Sequence, residues 1–211
     1  DEIEGDRSYK TGDRQVLLVM DEGDPAIVEA TMRVVDEEAR ALGGEPLDVA
    51  LVEQWMGHRN DVSALEALIT RGYVVDTMEI SAPWGACADI YAAATTAIRG
   101  VEGTMVASAH QSHSYPDGAC LYFTFAGNPP AEGREVYYRA AWDAGQRAVL
   151  AHGGALSHHH GVGLNRSRFI AEALGEAHGV LVAAKRALDP NGILNPGKLG
   201  LPDPWGGPAW P

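Results

Sequence analysis

Apolar residues along the chain fall into patterns of three kinds. QVLLVM (residues 15–20) is a short, partly β-branched apolar run, which predicts a buried strand. Ile27, Val28, Met32, Val35, Ala39 and Leu42 instead recur at helical spacing. Asp24 precedes them as an N-cap, Pro25 is preorganised for the first turn, and Gly43 and Gly44 supply the stop. Residues 45–60 carry no clean period, whereas NDVSALEALIT (60–70) predicts a helix capped by Asn60 or Asp61 and closed near Gly72. The third pattern is strict alternation in YVVDTMEI (73–80), with Val74, Asp76, Met78 and Ile80 on one face and Val75, Thr77 and Glu79 on the other. Ser81 reads as the N-cap of an alanine-rich helix with Pro83 in its first turn and its end near Ile98.

Beyond Gly100 and Gly103, TMVASAHQSHSY and ACLYFTFAG flank the turn signal PDG at 116–118 and are expected to form an antiparallel pair. A long helix follows from Glu132 to His152 and a last one from Arg166 to Leu188. The order strand, helix, strand, helix, strand, strand, helix predicts an α+β fold, an antiparallel sheet with helices packed on one face. Period-two alternation puts Leu121, Phe123 and Phe125 on the core side and Cys120, Tyr122 and Thr124 on the free side. In the preceding strand Ser108, His110 and Ser112 share one face, and Gln111, His113 and Tyr115 the other. His110 is the imidazole expected beside Tyr122.

Composition narrows the function classes. With 211 residues, 45% of them hydrophobic, the chain can bury a real core. Sixteen Lys and Arg against twenty-nine Asp and Glu give a net charge of −13, which argues against nucleic acid or anionic membranes as partners. No apolar stretch reaches the roughly 20 residues of a membrane span, and no basic-then-apolar leader opens the sequence. Two cysteines, Cys87 and Cys120, are too few for a disulfide framework, so a cytoplasmic location is the default expectation. The acidic, non-methionine start DEIEGDRS reads as an internal boundary, with residues 1–14 as linker, 15–199 as one domain and 200–211 as a Pro, Gly and Trp tail.

The chemistry concentrates in LSHHHGVG (156–163). Three adjacent imidazoles could be a reaction centre, a metal site or a solvated loop. Consecutive residues aim poorly at one ion, so a metal is not expected, and Gly161 and Gly163 favour a tight turn beside a ligand. Neither GxGxxG after a first strand nor GxxxxGK[ST] occurs, so the chain is expected to lack a nucleotide site of its own.

EISAPW (79–84), DGACLYF (117–123), GGALSHHHGVG (153–163) and LDPNGILNPGKL (188–199) together resemble the C-terminal, substrate-covering cap domain of FAD-linked oxidases of the vanillyl-alcohol-oxidase type. Within that group they are similar to the alkyldihydroxyacetonephosphate synthases and their bacterial relatives. The resemblance extends over about residues 74–199 and implies a ferredoxin-like cap, FAD held mainly by a domain encoded upstream, and a small-molecule substrate, with a homodimer as an open option.

It also implies roles. His160 matches the general base and Tyr122 the active-site tyrosine, with His159 beside them. His158, His159 and Asn195 fall at cofactor-facing positions, and His110, Arg59 and Tyr122 at substrate-facing ones. Leu65 stands at or near the place of the synthases' phosphate-binding arginine, and Arg59 is the nearest replacement that could hold an anion. Relatives that oxidise 2-hydroxy acids can use a metal held by two histidines and a glutamate; the matching positions here, His110, Tyr122 and His159, include no carboxylate. The expectation is therefore the cap of an FAD-dependent oxidoreductase acting on a hydroxyl- or carboxylate-bearing substrate, with an alkylglycerone-phosphate synthase or a stand-alone binding domain as alternatives.

Overall fold

A computed structural model describes residues 15–206 of the chain. It divides into two compact units, Asp1–Val62 and Ser63–Pro211. The expected linker at 1–14 and the end of the expected tail lie outside the described residues.

In the first unit, α1 (Pro25–Ala41) starts as expected. The Asp24 side chain accepts from the Ala26 N–H at 3.0 Å, and Pro25 occupies the first turn. A short α2 (Ala50–His58) fills the stretch that had no clean period. QVLLVM is not a strand: residues 15–20 take no regular structure, and Leu17 is 74% exposed. An apolar run becomes a strand only with a ladder partner, and among the described residues it has none.

The second unit holds the sheet. After α3 (Ser63–Thr70), β1 (Val74–Pro83) leads into α4 (Trp84–Arg99); β2 (Thr104–Ser114) and β3 (Gly118–Gly127) form the hairpin; α5 (Arg134–Ala151) follows. The three strands are antiparallel in the order β1-β3-β2, so β3 is central. Met78, Ile80, Phe123, Phe125 and Ala107 turn one face toward Ile90, Ala94 and Ile98 of α4 and Tyr137, Ala141, Trp142 and Val149 of α5, all buried. This is the expected α+β layering, with helices on one face.

Three local expectations are corrected. Ser81 is not a helix N-cap, because its strand pairs with Cys120 and continues to Pro83, which takes the cap position at φ −61, ψ 149. The last helix is broken: α6 (Ile170–Leu174) ends at Gly175, whose φ of 52 leaves the helical region, and α7 (Ala177–Leu188) starts afresh. Finally, the β2–β3 register slips between Ser112 and Ser114. His113 sits in that bulge at φ 40, so period-two alternation stops there and His113 turns to the same side as His110.

Candidate functional site

On the face of the sheet away from the helices, register sets Glu79, Tyr122 and His110 in one row across the three strands. His110 stacks on Tyr122 with ring centroids 5.2 Å apart, as alternation predicted. The Tyr122 hydroxyl accepts from Thr77 Oγ1 at 3.3 Å. His110 stays largely exposed, and its partial burial lowers its pKa from the ordinary 6.5.

The segment after α5 carries the three histidines to this face. It leaves the helix through Gly153 (φ 80) and Gly154, where an added Cβ would lie 2.6 Å from Val149 Cγ1. Ala155 then bridges to Ser81 on the outer edge of β1, its N–H donating to the Ser81 carbonyl at 2.8 Å. From that edge the chain folds over Glu79, whose side chain is wholly buried. Glu79 Oε1 accepts from the Ser157 hydroxyl (2.7 Å) and from the N–H groups of His159 (3.0 Å) and His160 (2.6 Å). Its Oε2 accepts from the His158 N–H (2.5 Å). Burial alone would push the carboxyl up, but the Ser157 hydroxyl and the three backbone N–H groups outweigh it and bring the pKa from 4.5 down to about 2. The neighbouring Cys120 thiol goes the other way, to about 11, through burial and then the Glu79 charge, against a bond from the Ile80 backbone.

Arg166 closes the loop from below. Its guanidinium donates to the carbonyls of Leu156 (2.8 Å), Glu79 (3.2 Å) and Gly161 (3.4 Å) and lies 5.1 Å from the centre of the Trp142 ring. Burial lowers its pKa, and the charges of Glu79 and Asp76 oppose that. The Gln146 amide supplies a second donor to the Leu156 carbonyl (3.2 Å).

Held this way, the imidazoles fan outward. His160 meets Tyr122 edge to face at 5.5 Å, with its Nδ1 3.9 Å from Glu79 Oε1. His159 lies 4.5 Å from the His160 ring and 5.1 Å from that of His158. The bulge ring of His113 stacks on His158 at 5.1 Å, and Tyr115 tilts against His158 at 5.3 Å. The structure thus brings together His110, Tyr122, His158, His159 and His160. Arg59 belongs to the other unit, where it lies over the Trp55 ring at 5.6 Å. Asn195 sits at φ 45 in the exposed loop after α7. Among the described residues no hydrogen bond or ring contact links it to the histidines.

Two overlapping sets, His113, His158 and His159, and Glu79, His159 and His160, have ligand atoms within 4.8 Å of one another. The oxygens of Glu79 already take four donors, and within the all-imidazole set the Nδ1 atoms of His158 and His159 are hydrogen-bonded to each other at 2.9 Å. A carboxylate does lie beside the histidines, on β1 rather than in the histidine motif, and it is engaged by the loop itself. Sequence reasoning missed Glu79, Arg166 and His113. Glu79 carried a usable signal, the one acid on its own face of β1 beside Val75 and Thr77, opposite Met78 and Ile80.

The family described as FAD linked oxidases, C-terminal domain, matches residues 2–199. The FAD-linked oxidoreductase YgcU of Escherichia coli O157:H7 is 30% identical over 198 residues, covering 87% of this chain and 41% of that protein. An alkyldihydroxyacetonephosphate synthase of Trypanosoma brucei brucei is 38% identical over 96 residues, 45% of this chain and 16% of that protein. Among solved structures, an alkyldihydroxyacetonephosphate synthase superposes with a TM-score of 0.50 at 21% identity, over 78% of this chain and 28% of that one. The chain thus spans about two-fifths of the length of its Escherichia coli relative.

Proposed function

We propose that this chain, which belongs to the C-terminal domain family of FAD-linked oxidases, is the substrate-covering cap of an FAD-dependent oxidoreductase acting on a small hydroxyl- or carboxylate-bearing substrate. The observation that carries the proposal is the convergence of His160, Tyr122 and His110 on the helix-free side of the sheet, with the histidine loop anchored on a buried carboxylate. Flat aromatic rings and imidazole nitrogens suit contact with a flavin ring system. Among the described residues no glycine-rich phosphate loop follows a strand, so the rest of the FAD is assigned to another domain of the protein that contains this chain.

A bound flavin supplies the two-electron acceptor. His160 takes the hydroxyl proton of the substrate, since imidazole is the group best matched to proton transfer near neutral pH. Tyr122, hydrogen-bonded to Thr77 and stacked on His110, orients the substrate oxygen. His158 and His159 are proposed as cofactor contacts beside the base. Arg59 is proposed as an anion contact for a substrate carboxylate, which a guanidinium can hold bidentately, and Asn195 as a cofactor contact.

The synthase reading draws on the similarity to the Trypanosoma protein over 96 residues. Against it stands Leu65, an apolar side chain where a phosphate would need a cation. The two separate by flavin bleaching in anaerobic, flavin-loaded protein containing this chain. Bleaching by 2-hydroxy acids or alcohols supports the oxidoreductase; bleaching by acyl-dihydroxyacetone phosphate alone supports the synthase.

A further inference from the structure

Three successive backbone N–H groups that converge on one point form a concavity that receives an anion. In this chain the N–H groups of His158, His159 and His160 do so, and what fills the concavity is an internal carboxylate from a different element, 79 to 81 residues distant in sequence. The two Glu79 oxygens take four donors, three at Oε1 and one at Oε2, and the side chain is wholly buried. All four donors come from residues 157–160, so the group's work is directed at the loop. The His160 ring follows from its backbone: with its N–H fixed 2.6 Å from Oε1, its imidazole is delivered against Tyr122.

We propose that Glu79 is the positioning residue of the histidine loop, an internal anion whose charge sets the backbone of residues 158–160 and so the direction of the His160 imidazole. A small external carboxylate can take its place when the side chain is removed. The catalytic consequence rests on the reading of His160 as the base; the positioning itself does not.

Charge and shape make different demands here. Glu79→Gln keeps the shape, but its amide NH₂ must replace one oxygen and so face a donor. The lesser loss puts it at Oε2, opposite the His158 N–H alone, rather than at Oε1, opposite three donors. Glu79→Ala empties the concavity and leaves room for formate.

The test is amide hydrogen exchange on the ¹⁵N-labelled full chain. In Glu79→Gln the His158–His160 amides are expected to lose about ten- to a hundredfold of their protection, as for the loss of hydrogen bonds to a charged acceptor, with His158 affected most. The Phe123 and Phe125 amides of the core strand are expected to stay protected. In Glu79→Ala, excess formate is expected to restore the loop amides, and chloride at equal ionic strength is not. Unchanged loop protection in Glu79→Gln overturns the proposal, as does simultaneous loss at Phe123 and Phe125, which would make Glu79 a general support of the fold. Failure of formate to restore the loop overturns the anion account. Loop amides that respond as expected, in a protein whose flavin no hydroxy acid reduces, would sink the functional reading and leave the positioning role standing.

Discussion

Acid should release the histidine loop, and the size of the effect follows from one carboxyl. Glu79 titrates at about 2 in the folded chain against an ordinary 4.5, which corresponds to about 3 kcal/mol in favour of the closed loop when the group is ionised in both the closed and the open loop. A depressed folded pKa gives stability that is fully present above the unfolded value and is lost as pH falls from about 4.5 toward about 2; by about pH 3 roughly 2 kcal/mol of it is gone. Other carboxyls add to acid loss. Asp189 is one, its pKa lowered by the Lys185 ammonium and then by the Leu194 and Ile193 N–H groups, against burial. Glu79→Gln isolates the contribution, because every other acid is shared. The assay is native-state amide exchange of His158, His159 and His160 at a series of pH values, which reads the free energy of opening the loop, for the wild-type chain and for Glu79→Gln. The difference between the two should be flat above about pH 5 and shrink by roughly 2 kcal/mol on going to about pH 3. A difference that is constant with pH, or that grows as pH falls, would refute the reasoning.

Other substitutions probe the supports around the loop. Arg166→Met removes the donor to three carbonyls but also relieves a buried charge, and should cost about 2 kcal/mol in urea unfolding; Arg166→Lys should recover little of this, because an ammonium lacks the planar fork. Gly145→Ala would place a Cβ 2.8 Å from Met78 Cε and 3.0 Å from Ile98 Cδ1, and should lower thermal stability by about 1–3 kcal/mol through overpacking. His113→Gly relaxes the backbone at φ 40 and removes the ring stacked on His158. It should leave global stability within about 1 kcal/mol of wild type while shifting the NMR signals of the His158 ring.

Periodicity made much of this legible. The Asp24–Pro25 start of α1, the β2–β3 hairpin and the His110–Tyr122 pair follow from spacing alone, because each depends on residues close in sequence or on alternation across one hairpin. What escaped depends on long-range pairing. QVLLVM has the composition of a strand, but composition does not supply a partner. His113 escaped because a bulge shifts the face of every residue beyond it, and a bulge leaves no clear mark in SHSYPDG. Glu79 could be placed on the face of Tyr122 only once β1 was registered against β3, and its role needed a loop almost eighty residues away to fold back over it. Arg166 reads in sequence as the first residue of a helix, and becomes a clasp only because α5 presents Trp142 and Gln146 beneath it.

The central claim, that this face of the sheet presents a base to a substrate lying against a flavin, is tested most directly by the flavin half-reaction. Anaerobic stopped-flow mixing of flavin-loaded protein with a 2-hydroxy acid or alcohol that bleaches the wild type should show His160→Ala slowed by about 10²–10⁴-fold, with flavin content unchanged. A His160→Ala protein that reduces its flavin at the wild-type rate would contradict the account.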